Sequence, residues 1–394
     1  MKSLNAKSKG KSDHTGNLEP PPVESVVPPI YEASVFAFSN TQKLIDVISE
    51  KTPGFVYTRF DNPTVRQTEK KLAGLDGSED AILFSSGMAA ISAAILSLVS
   101  SGDHLVSTRD IYGGTLSFFT NVLPRFGIEV SLAEATKTEE IAAAIQSNTK
   151  LLFVETPTNP LLKVVDVAQV AKLGLEKDIP VMVDSTFATP INLRPLELGA
   201  NVVLHSATKY LGGHHDLTAG VVCGSKEFIQ EARTLRKSLG GTLDPWVAWL
   251  LSRSLQTLEL RMGRHNANGM EVAKYLAGHP RVKQVYYPGL PSHLQHCLAK
   301  QQMQGFGGVV SFEIDSTFEA ITAFVESLKL FRLAPSLGGT ESLVTQPVTS
   351  SHYFVSMEER AKAGITDQLV RLAVGVENPK AIIADLEQAF DKLN

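Results

Sequence analysis

The sequence predicts an α/β fold: a mostly parallel sheet with flanking helices in a large domain, followed by a smaller α/β C-terminal domain. Three observations predict it. Between about residues 68 and 225, short apolar runs alternate with amphipathic stretches, the signature of stacked βαβ units. Polar residues gather just after those runs, at the carboxyl ends of strands where ligands of such sheets bind. After about residue 250 the pattern changes to a long helical stretch followed by an alternating strand, which marks a second domain. The expected divisions are 1–55 for a flexible N-terminal segment and arm, 56–250 for the large ligand-binding domain and 251–394 for the small domain.

Taken in order, the first two dozen residues run from Lys2, Lys7, Lys9 and Lys11 to Pro20-Pro21-Pro22 and predict a flexible lead-in. Ala81-Ile82-Leu83-Phe84 predicts a strand, Ser85-Ser86-Gly87 a turn, and Met88 to Val99 the helix that follows. His104 to Ser107 and Lys150 to Glu155 are further strands. Val164 to Lys177 predicts a helix with Val164, Val167, Ala168, Ala171 and Leu175 on its apolar face, and Ile179-Pro180 leads into Val181-Met182-Val183-Asp184. Val202 to Lys209 is a strand ending in two hydroxyls and an amine, with Ser206 and Thr208 on one side of it. A single helix is expected from Trp246 to Leu276, stopped by Gly278 and Pro280. Val309 to Ile314 alternates as a half-buried antiparallel strand does, Phe318 to Leu328 is helical, and Phe331 to Pro347, with Gly338-Gly339, is a loop suited to substrate contact.

Composition narrows the function. With 37 basic and 41 acidic side chains the net charge is −4, which argues against a nucleic-acid surface and favours small-molecule substrates. No apolar stretch approaches the ~20 residues of a membrane span, and the N-terminus has neither the hydrophobic region of a secretory signal nor the Arg-rich, acid-poor character of a transit peptide, since Asp13 and Glu19 stand there. Cys223 and Cys297 form no paired motif, so neither disulfides nor zinc is expected, and the expected setting is the cytoplasm. His214-His215-Asp216 is the one candidate metal motif; adjacent histidines on a loop point apart, so no metal is expected.

Lys209 and Asp184, each closing an apolar strand, are either ordinary polar strand ends, with the lysine a solvated surface charge, or the pairing an aldehyde cofactor requires. Pyridoxal 5'-phosphate needs an amine for its Schiff base, a carboxylate to keep its ring nitrogen protonated, and small donors for its phosphate. Ser85-Ser86-Gly87-Met88, between strand and helix, is either a phosphate cradle or a simple N-cap. Tyr112 either stacks on a pyridine ring or covers a core edge, and Asn159 is either a turn residue or a donor to the cofactor. Arg371 lies in the apolar run Leu369 to Val374 and needs an anion, either a structural carboxylate or the α-carboxylate of an amino acid.

Several runs in one order carry a family resemblance over nearly the whole chain after about residue 25. They are Tyr57-Thr58-Arg59-Phe60-Asp61-Asn62-Pro63-Thr64, Ser86-Gly87-Met88, Glu155-Thr156-Pro157-Thr158-Asn159-Pro160, His205-Ser206-Ala207-Thr208-Lys209-Tyr210 and Ser336-Leu337-Gly338-Gly339. The chain resembles the cystathionine γ-synthase, cystathionine lyase and methionine γ-lyase family of pyridoxal phosphate enzymes, of fold type I. The resemblance implies Lys209 as the Schiff-base lysine, Asp184 at the ring nitrogen, Tyr112 stacked on the ring, and Ser86, Gly87, Met88, Ser206 and Thr208 around the phosphate; Thr186 completes the cofactor-binding set. It also implies that Tyr57 and Arg59 reach the phosphate of a neighbouring subunit in a dimer of dimers, and that Asn159, Ser336 and Arg371 hold the substrate carboxylate.

The runs from His279 to His293 and from Gly305 to Glu313 are similar to the cystathionine γ-synthase branch. That branch implies γ-replacement on an activated homoserine with cysteine. Two departures bear on it: Val56 and Pro335 stand where many relatives carry an acidic residue for the distal ammonium of cystathionine, and Gly113-Gly114 replaces the basic residues of plant-type enzymes. The alternatives are methionine γ-lyase or cystathionine γ-lyase elimination, which releases a 2-oxo acid, ammonia and a thiol, or a non-catalytic protein of the same fold. In the catalytic readings Lys209 moves the α-proton and Tyr112 assists proton transfer.

Overall fold

The apolar runs of the first half become one sheet. In the computed structural model, which describes residues 25–351, 353 and 357–393, its strands are β1 (Asp80–Phe84), β2 (His104–Thr108), β3 (Glu129–Ala133), β4 (Thr149–Glu155), β5 (Val181–Asp184), β6 (Val202–His205) and β7 (Gly220–Gly224). Their spatial order is β1-β7-β6-β5-β4-β2-β3, and every neighbouring pair is parallel except those of β7, which runs against β1 and β6. Strands β2, β5, β6 and β7 are buried throughout, as strands covered by helices on both faces must be. The lead-in expected over the first two dozen residues lies outside the described residues.

The second sheet contains β8 (Val282–Tyr286), β9 (Val309–Ile314), β10 (Arg332–Leu333), β11 (Leu343–Thr345) and β12 (Leu369–Ala373) in the order β10-β11-β12-β9-β8. Its pairs are antiparallel except β10 with β11. Val309, Leu337, Leu343 and Ala373 of this half pack in the same apolar cluster as Val65, Leu72, Tyr210 and Leu211 of the first, so the two sheets are joined through a shared core.

Several expectations are corrected. The helix expected from Trp246 to Leu276 is two, Pro245–Leu255 and Leu258–Ala277. At the break Thr257 leaves helical geometry (φ −113°, ψ 11°), and the buried Arg261 donates to Ser254 O at 2.9 Å and to Tyr210 O at 2.6 Å, tying the break to the segment after Lys209. The helix expected from Val164 begins at Val167, with Asp166 as N-cap. Its buried face is Val167, Val170, Ala171 and Gly174, whereas Leu175 is 84% exposed. Gly174 decides this rotation: a Cβ there would lie 2.6 Å from Ile179 O, so the helix uses its smallest residue for close approach.

Strand β9 is not half-buried; its polar face is covered too, with Ser311 Oγ donating to Pro160 O at 2.6 Å and Glu313 accepting from Tyr286 and Thr366. The segment expected as a loop from Phe331 to Pro347 contains the short strands β10 and β11 around its tip.

Candidate active site

The carboxyl ends of β4, β5 and β6 set adjacent residues side by side. Glu155 and Asp184 are register partners across β4 and β5, and β6 continues through Ser206 to Lys209. Beyond His205 the backbone leaves the strand and turns, so Ser206 and Thr208 do not alternate along β6 as expected. The turn is held by Lys209 N–H bonding Ser206 O at 3.1 Å and by Thr208, whose hydroxyl both accepts from Ala219 N and donates to Ala219 O. Ser206 nonetheless reaches the predicted cradle: a Cβ at Gly87 would lie 2.8 Å from both Cβ and Oγ of Ser206. Only glycine permits that close approach. Ser86 caps the Gly87–Leu96 helix through Ala89 N–H at 3.1 Å, so the turn is an N-cap, and its helix end faces Ser206.

Asp184 is buried, and its Oδ1 accepts from both the N–H (3.0 Å) and the hydroxyl (2.5 Å) of Thr186. Burial pushes its carboxyl upward, while Thr186 and the nearby His205 oppose that. His205 sits behind it, its Nε2 3.1 Å from both oxygens of the buried Asp76. Burial opposes charge on that imidazole, but Asp76 outweighs it and the pKa is raised. A buried carboxylate whose hydroxyl and N–H donors leave one oxygen free is suited to a cationic ring nitrogen.

The second sheet delivers the other half of the site. Arg371, at the centre of β12, donates to Asn159 Oδ1 at 2.7 Å and to Ser336 O at 3.1 Å. Ser336 Oγ in turn accepts from Lys209 Nζ at 2.9 Å. Residues expected to act together from four distant positions therefore form one chain, Lys209–Ser336–Arg371–Asn159. Ser336 is held at φ 101°, a backbone region L residues rarely adopt, and Gly338 (φ 81°) lies so close to Tyr210 that a Cβ would come within 2.5 Å of its nitrogen. Burial first, and Arg371 second, pulls the Lys209 pKa down to about 8; burial alone lowers Arg371 to about 10.

Tyr112 follows β2, opens the Gly113–Ser117 helix and is 47% exposed, available to stack on a ligand rather than closing a core edge. Gly114 makes room for it, since a Cβ there would strike the tyrosine ring at 2.5 Å. Met88 accepts weakly from Thr115 Oγ1 at 4.0 Å beside the cradle. Tyr57 and Arg59 lie apart from this cluster: Arg59 donates to Lys237 O and stands over the Phe60 ring at 4.8 Å. His214 bonds Gly212 O at 2.8 Å and His215 packs against Gly339, so neither is directed towards the other.

Glu155 and His205 carry no expected role, although both stand in the family-like runs, and Asp76 is missed altogether. Glu155 could have been found by the signal that found Asp184, an acid closing an apolar strand; Asp76 could not, because its partner is 129 residues away.

Pyridoxal phosphate fits these groups: an amine of lowered basicity, a buried carboxylate, and a helix N-terminus at Gly87 with the Ser206 hydroxyl packed against it.

Comparison with known proteins agrees. The chain matches the family described as Cys/Met metabolism PLP-dependent enzyme over residues 11–391. It is 44% identical over 371 residues to a chloroplastic cystathionine gamma-synthase 1 of Arabidopsis thaliana, covering 94% of this chain and 66% of that one. It is also 44% identical over 368 residues to an L-methionine gamma-lyase of Porphyromonas gingivalis, covering 93% and 92%. Among solved structures, the cystathionine gamma synthase of Xanthomonas oryzae pv. oryzae in complex with aminoacrylate and cysteine superimposes with a TM-score of 0.89 at 36% identity, over 94% of each chain. The chain belongs to the Cys/Met metabolism family of pyridoxal phosphate-dependent enzymes.

Proposed function

We propose that this enzyme catalyses γ-replacement on an activated homoserine with cysteine as the thiol, the cystathionine γ-synthase reaction. The observation that carries the reading is the chain from Lys209 Nζ through Ser336 and Arg371 to Asn159, which puts an amine beside a buried guanidinium suited to an amino acid's carboxylate. When bound, pyridoxal phosphate supplies the electron sink that makes the α-proton of an amino acid acidic.

In this reading Arg371 and Asn159 fix the substrate carboxylate, and Ser336 Oγ, bonded to Lys209, aligns the amine over the reacting carbon. Lys209, already lowered to about 8, takes and returns protons at its Nζ. Asp184, braced by Thr186, holds negative charge at the far end of the site. Gly87, Met88, Ser206 and Thr208 receive the phosphate, and Tyr112 covers the outer face and excludes water. Tyr57 and Arg59, unengaged with this cradle, are offered to a second subunit, so the active unit is at least a dimer, assembled as a dimer of dimers.

Elimination from methionine is the second reading. It is favoured by Val56, half-buried and apolar where an acidic partner for a distal ammonium would stand, and by Pro335 at the corresponding position before Ser336. Purified holoenzyme assayed with O-acylhomoserine plus cysteine, and separately with methionine or cystathionine alone, decides between them. Thiol-dependent cystathionine formation is expected; 2-oxobutanoate from methionine without that product would overturn the synthase reading.

A further inference from the structure

Two loops carry the ligand-facing side chains of the first sheet, one bearing Tyr112 after β2 and one bearing Asn159 after β4. A single carboxylate joins them. Glu155, only 3% exposed, accepts from Tyr112 N–H through Oε2 at 2.8 Å and from Asn159 N–H through Oε1 at 3.2 Å. It spends both oxygens on backbone donors and lies beside Asp184 in register. A second tie crosses the same gap farther out, where Lys163 pairs with Asp110 at 2.9 Å and with Glu134 at 2.9 Å. Those groups do not bond the Tyr112 or Asn159 backbone.

A buried carboxylate is an expensive choice for a merely structural staple. Burial, and next the neighbouring Asp184, raise its pKa well above the usual carboxylate range, so its position is costly for stability. We propose that Glu155 is a positioning residue: by holding both backbone N–H groups it sets the Tyr112 ring and the Asn159–Arg371 clamp as one unit, so that cofactor stacking and substrate-carboxylate binding are fixed together. The inference rests on the site roles proposed above and adds a residue to them.

The test uses reconstituted holoenzyme, with Glu155→Gln as the principal variant. The amide keeps size but turns an N–H towards one of two backbone donors, forcing the loops apart. Two readouts are taken from the cofactor's visible absorbance: its dissociation constant, and the dissociation constant for L-alanine titrated as a non-reacting amino acid. Glu155→Gln is expected to weaken both by about tenfold or more, as misplacement at a site by about an ångström does. Lys163→Met, which cuts only the outer tie, is expected to lower the melting temperature and leave both constants within about twofold of wild type.

Unchanged constants in Glu155→Gln, a change in only one, or equal changes in Lys163→Met would overturn the inference. Should Glu155→Gln lose its near-ultraviolet circular dichroism, Glu155→Asp, too short to span both donors, is read by the same criteria. A wild type without a Lys209-dependent visible band, or with a band that L-alanine leaves unmoved, overturns the underlying site roles instead.

Discussion

At Lys209 the conflict between burial and charge is directly measurable. The folded value is about 8 and the ordinary value 10.5, so between them the unfolded chain binds more protons and stability rises with pH. Below about 8 the penalty for a buried ammonium is complete, about 3 kcal/mol; above about 10.5 it is gone. In cofactor-stripped protein, urea unfolding is expected to show Lys209→Met more stable than wild type by about 3 kcal/mol at pH 7. That advantage should vanish near pH 11, and one that persists there would rule out the lowered pKa. The residue roles legible in the sequence were those with a local signature: Lys209 and Asp184 end apolar strands, and Gly87 sits in a turn before a helix. Glu155, with the same signature as Asp184, needed its two backbone partners in view before its role was apparent.

At the scale of elements, the Ser336-Leu337-Gly338-Gly339 loop is the most constrained piece. Gly338 combines a left-handed backbone with contact on Tyr210 N, the residue after Lys209. Gly338→Ala is therefore expected to cost about 1–3 kcal/mol in denaturant unfolding and to slow covalent attachment of the cofactor to Lys209, followed by absorbance. Attachment at the wild-type rate would show that the loop does not hold the lysine. The strands read from apolar runs, β1, β2, β4, β5, β6 and β9, lie where expected, because burial leaves little else in them, whereas the other six among the described residues, including the part-exposed β3 and β8, were not read as strands. Helix boundaries were less legible. Periodicity cannot see that Arg261 bonds across the break at Thr257 to Tyr210 O, or that Gly174 outranks Leu175 as the contact residue, because both are set by a neighbouring segment.

For the whole molecule, a buried ion cluster links the segment around Phe60 to the sheet. Glu69 accepts from Arg66, Arg233, Arg236 and Leu83 N–H, and Arg236, 1% exposed, also reaches Phe60 O at 3.1 Å and Leu83 O at 2.8 Å. Burial would raise the Glu69 pKa, but Arg233 and Arg236 outweigh it and the value is lowered. Glu69→Gln, which leaves guanidinium groups uncompensated, is expected to cost about 3–5 kcal/mol, read as a lower urea midpoint at unchanged slope. The segment so anchored presents Tyr57 and Arg59 outward. If they complete a second subunit's site, mixing inactive Lys209→Ala with weakened Arg59→Ala under exchange should restore activity, because mixed dimers contain one intact site. No recovery after confirmed subunit exchange would exclude shared sites.

By itself the sequence determined the α/β class, the positions of six apolar strands and the two groups a pyridoxal cofactor needs, because those depend on local pattern and on what each strand end exposes. Tertiary structure alone decided how residues 159, 209, 336 and 371 are linked by hydrogen bonds, that β9 is buried on both faces, and that Glu155 joins two loops. Each of these depends on how the second sheet docks against the first and on which donors face a buried carboxylate, and such long-range packing leaves no periodic trace along the chain.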